Sequence, residues 1–230
     1  MSSGRLERVL RDIQNASRDA RRPDARLVAV GKTRDAGELA ALADDWARAR
    51  PGAARAFGEN YVQEAATKIA ALAGAGLEWH LIGHLQSNKA AQAAVLFDWV
   101  QSVDRLKLVL VLAAARPADR APLAVLVQVN IDDEDSKHGC APGDVPALAD
   151  AIAARPTLAL RGLMAIPAPR ADEAGRRAAF AAMRGLFDTL AARHAGVDTL
   201  SMGMSADFPE AIAEGATMVR VGTALFGARA

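Results

Sequence analysis

The chain has 230 residues, 51% of them hydrophobic, which is ample for one sizeable core. Its 28 basic and 27 acidic residues leave a net charge of +1, and 4% of the residues are aromatic. That balance gives no electrostatic footprint for nucleic acid or an anionic membrane, and a base-stacking platform is not expected. The single cysteine, Cys140, excludes an intrachain disulfide. The early charges of Met-Ser-Ser-Gly-Arg-Leu-Glu-Arg are unlike a secretory signal, and no uncharged apolar run is long enough to span a bilayer. A soluble cytoplasmic protein is expected.

Leu6, Val9, Leu10 and Ile13 follow helical spacing, with Arg5, Arg8, Arg11 and Asp12 on the other face. This predicts an N-terminal helix, closed by Arg21-Arg22-Pro23. An alternation then begins. Leu27 to Gly31 is strand-like, and Asp35 with Glu38 forms a capping-box start for a helix whose buried face is Leu39, Leu42, Ala43 and Trp46. Ala56 to Gly58 is a second strand, followed by a helix with Val62, Ala65, Ala66, Ile69 and Leu72. Leu77 to Ile82 is a third strand, with a helix from about Asn88. Trp99 to Val103 and Leu106 to Ala115 are the fourth strand and its helix. Leu123 to Val129 is apolar apart from Gln128, as suits a parallel strand buried on both faces. Val145 to Ala154 is helical, Leu158 to Ile166 is the sixth strand, and Phe180, Met183, Phe187 and Leu190 mark the next helix. Thr199 to Met204 is the seventh strand, Ser205 the cap of a short helix, and Met218 to Val221 the eighth strand.

Eight strands, each but the last followed by a helix, are the signature of an α/β fold of the (β/α)8 TIM-barrel type. One domain over residues 1–230 is expected, with residues 1–22 a helix packed on the barrel. A doubly wound open sheet is the structural alternative. No Gly-rich fingerprint follows the first strand, which argues against a dinucleotide site.

In a barrel the chemistry stands at the C-terminal strand ends. There lie Lys32, Asn60, His80, His84, Asn130, Met164, Ser201, Ser205, Arg220, Gly222 and Thr223. Alternation places Val28, Val30 and Lys32 on one face. A rim lysine is either an ion-pair partner or an amine for carbonyl chemistry. Such an amine attacks an aldehyde only when neutral, which burial and a nearby cation such as Arg220 favour. Barrels often bind phosphate after strands seven and eight. Gly222 permits close backbone approach, and Thr223, Ser201 and Ser205 offer hydroxyls, although turn formation and capping explain the same residues. An amine beside a phosphate cradle suits a phosphorylated carbonyl compound, without choosing between pyridoxal 5'-phosphate (PLP) and a sugar phosphate.

Six blocks then carry a resemblance. They are Val-Ala-Val-Gly-Lys32-Thr, Phe-Gly-Glu-Asn60-Tyr-Val-Gln-Glu, Trp-His80-Leu-Ile-Gly-His-Leu-Gln-Ser-Asn-Lys89, Gly-Leu-Met164-Ala-Ile-Pro, Leu-Ser201-Met-Gly-Met-Ser205-Ala-Asp-Phe and Val-Arg220-Val-Gly-Thr-Ala-Leu-Phe-Gly. In order and over nearly the whole chain, they resemble the pyridoxal phosphate homeostasis proteins, a family similar in fold to the N-terminal barrel of alanine racemase. The resemblance implies that Lys32 forms a Schiff base (internal aldimine) with PLP and that Arg220 faces the pyridine nitrogen. It implies that Ser201, Ser205, Gly222 and Thr223 hold the phosphate, and that Asn60 lies near the cofactor unless it merely caps the next helix.

It further implies a PLP carrier that buffers the cofactor and passes it to apo-enzymes. An arginine at the pyridine nitrogen stays charged and leaves the ring a weak electron sink. The racemase relatives add a second-base tyrosine from a partner's second domain. Here Tyr61 is the sole tyrosine, and no second domain is expected after the eighth strand. A monomer is therefore expected. The alternatives are a weak amino-acid racemase or a Schiff-base aldolase, the latter needing a carboxylate or second lysine near Lys32. A protein-interaction module rests only on the basic N-terminal helix, which is more simply a solvated helix covering the barrel bottom.

Among other candidates, His80 reads as a satisfied core histidine and His84 as exposed. Lys89 reads as a solvated helix start. Lys137 lies behind an acidic run that suits a solvated loop, though it could shuttle cofactor. Cys140 lacks an activating partner, and Met164, Met202 and Met204 read as core filler.

Overall fold

The computed structural model describes residues 2–132, 138–168 and 172–227. Its strands are β1 (Arg26–Val30), β2 (Arg55–Glu59), β3 (Leu77–Leu81), β4 (Trp99–Val103), β5 (Leu123–Gln128), β6 (Leu158–Met164), β7 (Thr199–Ser201) and β8 (Met218–Val221). Its helices are α1 (Ser2–Asp19), α2 (Ala36–Ala49), α3 (Val62–Ala71), α4 (Ala90–Leu96), α5 (Leu106–Ala115), α6 (Val145–Ala153), α7 (Glu173–Arg193), α8 (Phe208–Ala213) and α9 (Thr223–Phe226). The strands pair in parallel in chain order, and β8 returns to β1 with Val28 opposite Arg220, so the barrel is closed.

Strand alternation divides the core in two. Val28, Ala56, Trp99, Ala124, Leu126, Met164 and Met218 fill the lumen. Their neighbours Leu27, Ala29, Phe57, Val125 and Val127 face outward into the layer beneath the helices. Buried on both faces, β5 has no exposed position at all. The capping box at α2 forms as the sequence predicts: Glu38 N–H donates to Asp35 at 2.8 Å and Asp35 N–H donates to Glu38 at 3.1 Å.

Four expectations change. A helix, α9, does follow β8, but it has only four residues. The longer α1 packs against α2, α8 and α9 through Leu6, Val9 and Ile13. It therefore occupies the outer-ring position that a full helix after β8 would take, rather than covering the barrel bottom. The cap of α8 is Asp207, not Ser205. Strand β7 stops at Ser201, short of Met204, because the chain turns at Gly203, whose φ is +91°.

Candidate functional site at the barrel mouth

The turn after β1 carries Lys32 and is braced from several sides. Arg34 N–H donates to Gly31 O at 3.0 Å, closing a tight turn across Lys32 and Thr33. Thr33 has φ +66°, a costly conformation for a β-branched residue, and such strain persists only where the surroundings over-determine it. They do so here. Thr33 N–H donates to Glu64 Oε1 at 2.7 Å, and Lys68 Nζ donates to Gly31 O at 2.8 Å. Lys68 also binds Glu59 at 2.9 and 3.0 Å and Glu64 at 2.6 Å, so its three donors are consumed. Burial pushes Glu59 up to about 7 against the pull of Lys68.

Lys32 shares one small hollow with Val30, Gly222 and Thr223, across the seam where β1 meets β8. A side chain at position 222 would press on Val30 at 3.3 Å, so glycine lets this seam close. Ser205 Oγ accepts from Gly222 N–H at 3.4 Å. Four predicted residues (Lys32, Ser205, Gly222 and Thr223) therefore come together at one place.

Arg220 and Ser201 lie deeper. Arg220 is 3% exposed; its Nη1 donates to Ser201 Oγ at 2.7 Å and its Nη2 to Ala165 O at 2.8 Å. Among the described residues no carboxylate stands within ion-pair distance of it, and Asp207 acts on it only from further away. Burial lowers it to about 10, which leaves it charged at neutral pH. A buried guanidinium with neutral partners is costly unless an acceptor approaches it. Ser201 is fully buried and its hydroxyl donates to Gln101 Oε1 at 2.7 Å, so it is engaged inside the lumen.

From there a chain of hydrogen bonds runs down the barrel. Gln101 Nε2 meets His80 Nδ1 at 2.8 Å, His80 Nε2 meets Glu78 Oε1 at 2.7 Å, and Arg26 donates to the same oxygen at 2.7 Å. With the Gln101 oxygen taken by Ser201, its amide must donate to Nδ1. His80 therefore carries its proton on Nε2, towards Glu78. Burial favours this neutral imidazole and lowers its pKa, and the ring stacks on Trp99 at 5.2 Å. Burial alone would raise Glu78, but its bonds from His80 and Arg26 bring it down to about 2.

The remaining candidates fall elsewhere. Asn60 does not cap α3, whose cap position is Tyr61. It lines a separate cavity of about 390 Å³ with Tyr61, Gln63, His84, Lys89 and His138. His80 is the satisfied core histidine expected, and His84 is exposed. Burial pushes Cys140 up to about 12, so its thiol is inert. Met164 and Met202 are core residues, but Met204 is 40% exposed, contrary to expectation. Lys137 lies outside the described residues. Sequence reading missed Glu59, Lys68, Gln101 and Glu78. The available signals were an acid inside a buried strand and a lysine three residues after Ala65 on the buried stripe of α3.

Comparison with known proteins places this arrangement. The family model for the alanine racemase N-terminal domain matches residues 5–230. A pyridoxal phosphate homeostasis protein of Pseudomonas aeruginosa is 51% identical over 97% of this chain and 94% of its own length. This chain belongs to the pyridoxal phosphate homeostasis protein family. Another family member, from Escherichia coli K12, is 47% identical over 93% of this chain and 90% of its own. PipY of Synechococcus elongatus superposes with a TM-score of 0.86 at 34% identity, covering 99% of this chain and all of PipY. PipY is also known with PLP bound, and that structure superposes with a TM-score of 0.80. An alanine racemase of Clostridium difficile shares the family's fold at 15% identity and a TM-score of 0.68. This chain covers 56% of that racemase. As in the family's relatives, the sheet is a closed parallel barrel, and no described helix is long and apolar enough to cross a membrane.

Proposed function

We propose that this protein binds pyridoxal 5'-phosphate reversibly through Lys32 and serves as a cytoplasmic carrier and buffer of the cofactor for apo-enzymes. The carrying observation is the shared hollow of Lys32, Gly222 and Thr223, reached by a strained turn that a buried ion-pair cluster holds in place. The residues present fit the group. Lys32 offers an amine, Gly222, Thr223 and Ser205 offer a backbone N–H and hydroxyls for a phosphate, and Arg220 is a buried cation with no carboxylate at ion-pair distance among the described residues. When bound, the cofactor would supply an aldehyde carbonyl for the Lys32 amine. Ser201 acts in this reading by orienting Arg220. Asn60, which lines the separate cavity with Tyr61, has no part in this hollow.

The same geometry disfavours turnover. Tyr61 is 63% exposed and lines the Asn60 cavity, away from the Lys32 hollow. Lys68, Glu59 and Glu64 stand behind Lys32, where an aldolase would want them, but they are spent on one another and on backbone. A monomer over one domain suffices for this role. The test is the visible absorption spectrum of the purified protein with added PLP. A band that disappears in Lys32→Ala is expected. No band in the wild type would overturn the reading, and turnover of amino acids at ordinary enzyme rates would replace the carrier with an enzyme.

A further inference from the structure

His84, Asp104 and His138 come from the loops after β3, β4 and β5, and their ligand atoms lie within 4.8 Å of one another. The two imidazoles face each other with centroids 3.7 Å apart and planes 16° apart, and His84 Nδ1 is 3.9 Å from Asp104 Oδ2. The carboxylate is already oriented. Arg105 donates to Asp104 Oδ1 at 2.6 Å and is itself fixed on Leu85 O and Ser87 Oγ. Asp104 therefore presents its other oxygen towards the histidines, with the outer support that metal-binding carboxylates ordinarily have.

From this constellation we propose a binding site for a divalent first-row transition metal, of the Zn2+ class, formed by His84, Asp104 and His138. Two imidazoles and one carboxylate match the ligand types of zinc and exclude magnesium or calcium as first choice. With metal–ligand bonds of about 2.1 Å, tetrahedral ligand atoms stand roughly 3.4 Å apart, so these three close by on the order of 1 Å. Both imidazoles are exposed and can turn out of their stack to converge their lone pairs.

The location gives the site a role. Position 83 packs so tightly on Asn60 that a Cβ there would lie 2.2 Å from Asn60 O. The His84 loop is therefore seated directly on the end of β2, and a metal would clasp three loops along that side of the mouth. Three protein ligands leave a fourth position, which the adjoining 390 Å³ cavity leaves open to water or a small ligand. Neither Cys140, with its buried thiol, nor His80, enclosed in the lumen, competes.

Equilibrium titration of the full-length protein with Zn2+ alone, against a chromogenic chelator, tests the site. One equivalent should bind, and thermal stability should rise with it. His84→Ala and His138→Ala should each weaken binding by about tenfold or more, while His194→Ala, at the opposite end of the barrel, should leave it unchanged. Co2+ in place of Zn2+ should show visible d–d bands that vanish in His138→Ala. Absence of binding at millimolar Zn2+, or binding that survives both rim variants, would overturn the proposal. Both residues are exposed, so the variants should fold, and unchanged melting without metal checks this.

Discussion

The ionic cluster of Lys68, Glu59 and Glu64 and the lumen chain from Arg220 to Arg26 are both buried, yet they handle charge in different ways. The cluster concentrates opposite charges within 3 Å of each other directly beneath the Lys32 turn. The lumen chain keeps a guanidinium at either end and places neutral groups, Ser201, Gln101 and His80, in between. Only its lower end has a carboxylate, Glu78. The first arrangement makes a rigid support, since any missing member strands a charge. The second fixes direction, since each donor has one acceptor and the tautomer of His80 follows from the amide of Gln101.

The largest expected effect breaks the cluster. Lys68→Met leaves Glu59, whose side chain is wholly buried, without its cation. At pH 8, where Glu59 is ionised in the folded protein, a loss of about 3–5 kcal/mol in urea denaturation is expected. The double variant Lys68→Met with Glu59→Leu should recover most of that loss, because an apolar pair no longer buries a lone charge. Full stability in the single variant would show that the cluster does not brace the turn.

Breaking the lumen chain should cost less. Gln101→Leu leaves the Ser201 hydroxyl and His80 Nδ1 without their partner, a loss of about 1–3 kcal/mol. Gln101→Glu sharpens the point. A carboxylate still accepts from Ser201 but now calls for a proton on Nδ1, so the His80 titration should move up, readable by NMR. An unmoved titration would refute the assigned tautomer.

The two networks should also respond to pH in opposite senses. Glu59 is held at about 7 in the folded state against 4.5 ordinarily, so folding favours its protonated form. Its contribution is fully present below pH 4.5 and is lost as pH rises through 7. His80 is held below 6.5, so its contribution is present above pH 6.5 and is lost as pH falls. Melting temperatures between pH 5 and 8 should show the Glu59 decline, and Glu59→Gln should flatten it. A slope that persists in Glu59→Gln would assign it elsewhere. The smallest effect belongs to Arg26→Ala. Its side chain is 41% exposed, and about 0–1 kcal/mol is expected by denaturation.

Much of this was legible beforehand, and for identifiable reasons. The continuous apolar run of β5 and the Asp35–Glu38 cap are local signals, and both elements form where the residues place them. Lys32, Gly222 and Thr223 could be brought together on paper because closure of an eight-stranded barrel joins its first and last strands. What could not be read was the partner of each buried polar group. Ser201 looked like a phosphate ligand because a hydroxyl near a strand end suits one. Only the packed lumen shows that Arg220 and Gln101 already engage it. Lys68 drew no attention in the sequence, and nothing local discloses that Glu59 and Gly31 close over it.

The sequence by itself determined the order of strands and helices and, once a barrel is taken over an open sheet, the seam where Lys32 meets Gly222 and Thr223. These follow from periodicity and chain order, which act over a few residues and through one topological rule. The tertiary structure decided the rest: the role of α1 as the missing outer helix, the engagement of Ser201, and the meeting of His84, Asp104 and His138. Each depends on residues distant in the chain, whose distances are set by strand register and loop path rather than by any local preference.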